Sequence, residues 1–189
     1  MNTLILVNCQ NDFITGTMTS KGARTVIENL KNFIKNNYNQ FERIIFTAQW
    51  RTIDDFDFKQ NGGTENQHCI QFTPGACIEP KLLKLVQSLK IPYDVFTYKD
   101  QTGFEDPLFR ELDEYSDTFG KRYYLNSYTS NCYFHEGCPI ILAGLTEDLQ
   151  DGIKYLLEWN IVPKIYLPGV IKSDKLLQYL KINNIENVK

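Results

Sequence analysis

The residues of this chain that could do chemistry gather in a few short clusters. The first is Asn8-Cys9-Gln10-Asn11-Asp12-Phe13, which follows the apolar run Leu4–Val7. A run that ends this abruptly in polar residues reads as a buried parallel strand delivering side chains to a site at its carboxyl end. A carboxylate in the first delivered position could accept a proton. Asn8 cannot, because an amide has no accessible pKa near neutrality. The thiols of Cys9 and Cys69 sit next to Asn8 and His68. Nucleophilic cysteine needs its thiolate stabilised, and nothing in the sequence shows that, so both read as packed thiols. On a strand, Cys9 should face away from Asn8. Cys132, His135 and Cys138 form C-x-x-H-x-x-C. Three ligands without a clear fourth fall short of a structural zinc site, and ordinary polar and core residues are the reading taken.

Strand-like runs alternate with stretches of helical period. Leu4–Val7, Ile44–Thr47, Asp94–Tyr98, Pro139–Ala143 and Lys164–Leu167 read as strands. Residues 22–37 (Val26, Leu30, Phe33 and Ile34), 80–89 and 147–159 read as amphipathic helices, with a last one capped by Ser173-Asp174 and running to Leu180. The tail is a candidate edge strand. Residues 50–78, with Gly62-Gly63 and Thr73-Pro74-Gly75, read as a long functional loop. Residues 104–116 suggest a short helix and 117–137 an irregular aromatic segment. This alternation argues for a single α/β domain over 1–189: a three-layer, doubly wound, mostly parallel sheet with helices on both faces. Sites in such sheets lie at the strand carboxyl ends, which here means Asn8–Asp12, Gln49–Arg51, Lys99 and the turn after Gly144.

The bulk numbers exclude several classes. The 189 residues carry a formal charge of −3 with 42% hydrophobic and 23% charged residues, a soluble globular profile with no electrostatic reason to expect nucleic acid. No apolar stretch approaches the roughly 20 residues that span a bilayer. A strand begins almost at the first residue, which leaves no room for a signal peptide. A cytoplasmic protein without membrane association is expected, and five irregularly spaced cysteines do not look like a disulfide framework.

The clusters also resemble a known pattern. Asn8-Cys-Gln10-Asn11-Asp12-Phe13 resembles the D-x-Q-N-D-F strand of the isochorismatase-like cysteine hydrolases. Thr47-Ala-Gln49-Trp50-Arg51-Thr-Ile-Asp54 resembles T-x-D-W-H-P-x-D of their nicotinamidase branch. Gln67-His68-Cys69-Ile-Gln71-Phe72-Thr73-Pro74-Gly75-Ala76 is similar to that branch's H-C-V-Q-G-T-P-G-A. Tyr98-Lys99 falls where a lysine ends a strand, and Gly144-Leu-Thr-Glu-Asp148-Leu-Gln150 resembles the nucleophile turn G-x-x-T-D-x-C. The elements occur in order, and residues 100–138 match nothing in the pattern.

What the resemblance implies is a cysteine that attacks an amide-like carbon, helped by an aspartate and a lysine, beside a metal held by an aspartate and two histidines. At those positions this chain has Gln150, Asn8 and Lys99, and then Gln49, Arg51 and His68. Only Lys99 and His68 match. An amide is no nucleophile, and a fixed guanidinium charge repels a cation, so neither a metal nor another cofactor is expected. The pocket candidates are Asn8, Asp12, Phe13, Gln49, Trp50, Arg51, His68, Lys99 and Gln150. Arg51 is expected to fill the space of the missing metal and to pair with Asp54 or Asp55. Lys99 needs a partner, for which Asp12, Asp100, Glu147 and Asp148 are the candidates, or must sit near water, since an unpaired buried ammonium is costly. Gln10–Phe13 read either as a surviving pocket or, preferred, as the residues that build a turn. Phe72 adds bulk near the pocket mouth.

The functional expectation is a pseudoenzyme that binds a small molecule or serves as a subunit with a protein partner. The alternative is a divergent, metal-independent hydrolase of nicotinamide-like amides with a relocated nucleophile. The aromatic segment around Phe119–Phe134 suits either a partner surface or a flap. The resemblance makes a homo-oligomer unsurprising.

Overall fold

The computed structural model describes residues 1–98, 139–146, 148–158 and 160–188, together with the backbone of 115–116 and 122–123. Lys99, Asp100, Glu147, the Cys132/His135/Cys138 trio and nearly all of the aromatic segment lie outside these residues. The helix expected over 104–116 does not include its last two residues, because Tyr115–Ser116 pairs antiparallel with Arg122–Tyr123.

The main sheet is built from β1 (Asn2–Val7), β2 (Phe41–Gln49), β3 (Tyr93–Tyr98), β6 (Ile140–Gly144), β7 (Lys164–Val170) and β8 (Asn187–Val188), with the two short strands above as β4 and β5. Its order is β3-β2-β1-β6-β7-β8, and every pair in it is parallel. The mostly parallel architecture read from the sequence is therefore present, and β8 is the expected short edge strand. The central strands carry unbroken apolar runs because both faces are covered. Leu4, Ile5, Leu6 and Val7 have no exposed surface, and each such side chain contributes about 1.5–3 kcal/mol of burial.

Strand order reverses direction between β1 and β6. With right-handed crossovers, helices on the two sides of that point fall on opposite faces of the sheet. The first set is α2 (Ala23–Asn37) and α3 (Pro80–Ser88), after a single turn, α1 (Asn11–Ile14); the second is α4 (Asp148–Glu158) and α5 (Asp174–Ile182). Along α2, Val26, Ile27, Leu30, Phe33 and Ile34 are buried, which is the one-sided stripe that their spacing implied. Phe33 stacks on Tyr166 of β7, with ring centroids 3.9 Å apart. Glu79 caps α3 by accepting from the Leu82 N–H at 2.6 Å, ahead of Pro80. Ser173 caps α5 from Leu176 N at 3.2 Å.

The switch point between β1 and β6 leaves a crevice above the strand ends, where α/β sheets place their ligands. Gly144 lets the strands approach there. A Cβ on it would collide with the Val7 carbonyl.

Candidate functional site

Position 8 begins just where β1 stops. Asn8 has φ 53°, a left-handed conformation that asparagine tolerates better than most residues. Its N–H donates to Thr47 O at 2.9 Å, and its side chain is fully buried. The turn that follows is scaffold. Gln10 Nε2 donates to the Gln49 and Ala76 carbonyls at 2.7 and 2.8 Å, and Gln49 N donates back to Gln10 Oε1 at 2.8 Å. Asn11 Nδ2 donates to Pro74 O, and Asp12 Oδ2 accepts from the Cys69 N–H at 2.7 Å. These residues tie the end of β1 to β2 and to the loop ahead of α3, in keeping with the turn-building reading.

Asn8, by contrast, faces three other strand and helix ends. Its Nδ2 donates to Thr146 Oγ1 at 2.8 Å and to Asp148 Oδ2 at 2.5 Å. Tyr98, the last residue of β3, places its hydroxyl 2.7 Å from both Asn8 Oδ1 and Asp148 Oδ2. Gln49, opposite Tyr98 in the β2–β3 register, donates through Nε2 to Asp148 Oδ2 at 3.1 Å. Three donor groups thus converge on one carboxylate oxygen, the single Tyr98 proton being shared between it and Asn8 Oδ1. Because that oxygen only accepts, it sets the Gln49 amide with Nε2 toward Asp148 and Oε1 toward His68 Nε2, 2.8 Å away. Burial, with the Asp148 charge behind it, holds the Tyr98 phenol far above its usual titration range, so Tyr98 acts as a hydroxyl donor.

Beyond His68 lies Arg51, with Nη1 3.3 Å from His68 Nε2. Arg51 is 2% exposed, and its guanidinium is ringed by three carboxylates. Asp55 takes Nε and Nη2 at 2.8 and 2.9 Å, Asp57 takes Nη2 at 2.6 Å, and Glu65 takes Nη1 at 2.6 Å. Phe58 closes the underside, with its ring centroid 4.7 Å from the guanidinium carbon. Burial alone would depress the Arg51 pKa, but the hydrogen bonds to Asp55 and Glu65 outweigh it and raise it. The same contact holds Asp55 below the usual carboxylate range, against the opposing effect of its own burial. The expected pairing with Asp55 is present, and Asp57 and Glu65 join it.

A cavity of about 560 Å³ opens beside the network. Of the sequence candidates, Phe13, Gln49, Arg51, His68 and Gln150 line it, and Asn8 sits just behind, bonded to its wall residues Thr146 and Asp148. Asp12 and Trp50 do not line it. Asp12 is spent on the Cys69 backbone, and the Trp50 ring packs edge-on against Phe72 at 5.4 Å. Phe72 is 72% exposed and is likewise not among the lining residues, so it adds no bulk at the cavity. Lys99 lies outside the described residues. Among the described residues of β3, the side chain that reaches Asn8 is that of Tyr98.

Sequence reasoning missed Tyr98 and Thr146, and it named Asp148 only as a partner for Lys99. The signal for Tyr98 was its place as the last residue of a strand in register with Gln49. Neither the Cys9 nor the Cys69 thiol takes part. Cys9 turns its Sγ toward the Val7 carbonyl, and burial pushes the thiols of both Cys9 and Cys69 well up from their ordinary range.

The position where the resemblance implies a metal was tested by its donors. Gln49 Oε1 and the Arg51 guanidinium both adjoin His68 Nε2. The guanidinium stands where a cation would have to approach His68, and the nearby carboxylates of Asp55, Asp57 and Glu65 are already spent on it, so these residues do not fit a metal. Among the described residues, no other group of three His, Cys, Asp or Glu side chains is arranged to hold one. Nor is any described helix long and apolar enough to cross a membrane.

No family model and no curated protein matches this sequence. Solved structures do. Yeast nicotinamidase Pnc1p shares 18% identity at TM-score 0.72, over 100% of this chain and 99% of that one. The nicotinamidase/pyrazinamidase PncA from Bacillus subtilis shares 14% at TM-score 0.73, over 100% of both chains. The zinc complex of the pyrazinamidase from Pyrococcus horikoshii shares 18% at TM-score 0.68, over 100% and 98%. At this level of identity the likeness establishes the fold. The described residues have the isochorismatase-like α/β fold.

Proposed function

We propose that this isochorismatase-like fold serves here as a non-catalytic, small-molecule-binding protein. One observation carries the proposal. The strand-end positions have closed into a hydrogen-bonded network, Asn8–Tyr98–Asp148–Gln49–His68, that holds no thiol for its one carboxylate to activate, beside a cavity large enough for a ligand. Attack on an amide needs an activated nucleophile. Gln150 at the cavity wall cannot become one, and the Cys9 and Cys69 thiols are buried and protonated. The cavity favours ligand binding over a purely structural place in an assembly.

The test is paired. Ammonia release from nicotinamide and pyrazinamide should stay at the no-protein background, while calorimetry or thermal shift with small ring amides shows saturable binding. Binding to N but not U raises stability by RT ln(1 + [L]/Kd), so a ligand at a hundred times its Kd adds about 2.7 kcal/mol. Turnover that disappears in Cys69→Ser or Asp148→Asn would refute the proposal.

A second reading rests on one contact. Thr146 Oγ1 and Asp148 share the Asn8 amide and both line the cavity, which would place a hydroxyl nucleophile beside a carboxylate. Turnover lost in Thr146→Val but retained in Cys69→Ser would identify it.

A further inference from the structure

The ligand-binding reading leaves open what chemistry the cavity selects, and its charges bear on that. At the strand ends Asn8, Gln49 and Tyr98 are uncharged, which leaves Asp148 as the only charged group of the four. All three of its donors attach to Oδ2; no partner of Oδ1 occurs among the described residues. No basic side chain of the described residues lies in ion-pair range of Asp148. The Arg51 cation is committed to Asp55, Asp57 and Glu65. Two further carboxylates, Glu65 and Asp151, line the cavity, and its other cation, Lys175, is an exposed residue.

The N-termini of α4 and α5 also open on the cavity, and a helix N-terminus by itself favours anions. Here that positive end is already answered. Asp148 and Asp151 occupy the first turn of α4, and Asp174 together with the Ser173 cap occupies that of α5. An anion would have to displace them or sit against them. The apolar part of the wall is Phe13, Met18, Leu145, Leu149, Ile171 and Leu176, with Ser20, His68, Thr146 and Gln150 between them.

We propose that the cavity selects a small organic cation, an amidinium or primary ammonium on an apolar body, with Asp148 Oδ1 as its counter-ion and acceptor. The three donors on Oδ2 hold the carboxylate in one orientation before the ligand arrives, so little ordering is lost on binding. Either headgroup can donate N–H bonds to the carboxylate, but only the cation adds a full opposite charge at contact distance, and this Coulombic attraction, stronger in a cavity than in bulk water, is what separates a cation from a neutral amide of the same shape.

This inference rests on the ligand-binding reading, and the experiment separates the two. Benzamidine, benzamide and benzoate share one ring and nearly one outline but carry headgroups of charge +1, 0 and −1. Titration calorimetry on the full chain at pH 7.5 should show benzamidine binding at least tenfold more tightly than benzamide, with no detectable heat from benzoate. In Asp148→Asn, which keeps an acceptor for the three donors, the amidine-over-amide ratio should fall to near one. The wild-type ratio is the primary readout and stands whether or not the variant folds. Benzamide binding as tightly as benzamidine overturns the cation assignment and leaves the ligand-binding reading intact. A ratio that survives in Asp148→Asn overturns Asp148 as the counter-ion. Absence of binding by all three at millimolar concentration overturns both readings.

Discussion

Replacing Arg51 by methionine removes the charge that three carboxylates surround while keeping much of the side-chain volume over Phe58. Taking one partner from a buried ion pair costs about 3–5 kcal/mol, because the remaining charge is left without compensation. The Arg51 side chain is 3% exposed, but Asp55, Asp57 and Glu65 retain 12%, 24% and 26% of their side-chain surface. They can partly rehydrate, which lowers the expected cost to about 2–3 kcal/mol. In a chain of this size each kcal/mol moves Tm by about 2–4 °C, so Arg51→Met should melt about 5–10 °C lower. Arg51→Lys keeps the charge but loses the planar fork that reaches Asp55 through two nitrogens and should fall in between. Lys164→Met is the control. Its pair with Glu186 is 40% and 64% exposed, and such pairs are worth about 0–1 kcal/mol. The assay is thermal unfolding by circular dichroism, with hydrogen exchange across residues 52–66 as a second readout. If Arg51→Met melts within about 2 °C of wild type, or no lower than Lys164→Met, the reasoning that a buried guanidinium organises this loop is refuted.

Asn8→Asp restores the residue type that the motif resemblance implies but puts a second carboxylate 2.5 Å from Asp148 Oδ2. Two carboxylates this close cannot both ionise cheaply, so the variant should melt several degrees below wild type at pH 8 and recover much of the difference at pH 5; a pH-independent Tm difference would contradict this. The depressed Asp55 carboxyl binds its proton less readily folded than unfolded. Its contribution to stability is therefore present above the unfolded value of about 3.9 and lost as pH falls through the lower folded value. Denaturant unfolding from pH 6 to pH 2 should show that acid loss shrink in Asp55→Asn. In peptide-resolved thiol labelling of the native protein, exposed Cys77 should react quickly while buried Cys9 and Cys69 stay protected. Rapid labelling of Cys69 would remove one ground for the non-catalytic reading.

Local pattern carried much of the fold. The unbroken apolar runs of β1 and β6, the one-sided stripe of α2, and the Glu79-Pro80 and Ser173-Asp174 starts are all recognisable from neighbours a few residues apart, and each forms within a few residues of where its pattern placed it. Residue types alone also separated Gln49 and Arg51 from any set of metal ligands. Lys99 lies outside the described residues, and the motif match gave no role to the residue before it. The side chain that meets Asn8 is that of Tyr98.

What only the tertiary structure decided is which distant residues share the site. Positions 8, 49, 98 and 148 stand on four separate elements and meet because parallel strands end together at the point where the sheet order reverses. No short-range pattern encodes that meeting, since it depends on crossover handedness and on the close approach that Gly144 permits. The commitment of Arg51 to Asp57 and Glu65, six and fourteen residues on, is set by how the loop folds back over Phe58. The sequence by itself established that Asn8 could not be a base. The fold determined that the carboxylate missing from position 8 has a neighbour at position 148, with one oxygen held by three donors.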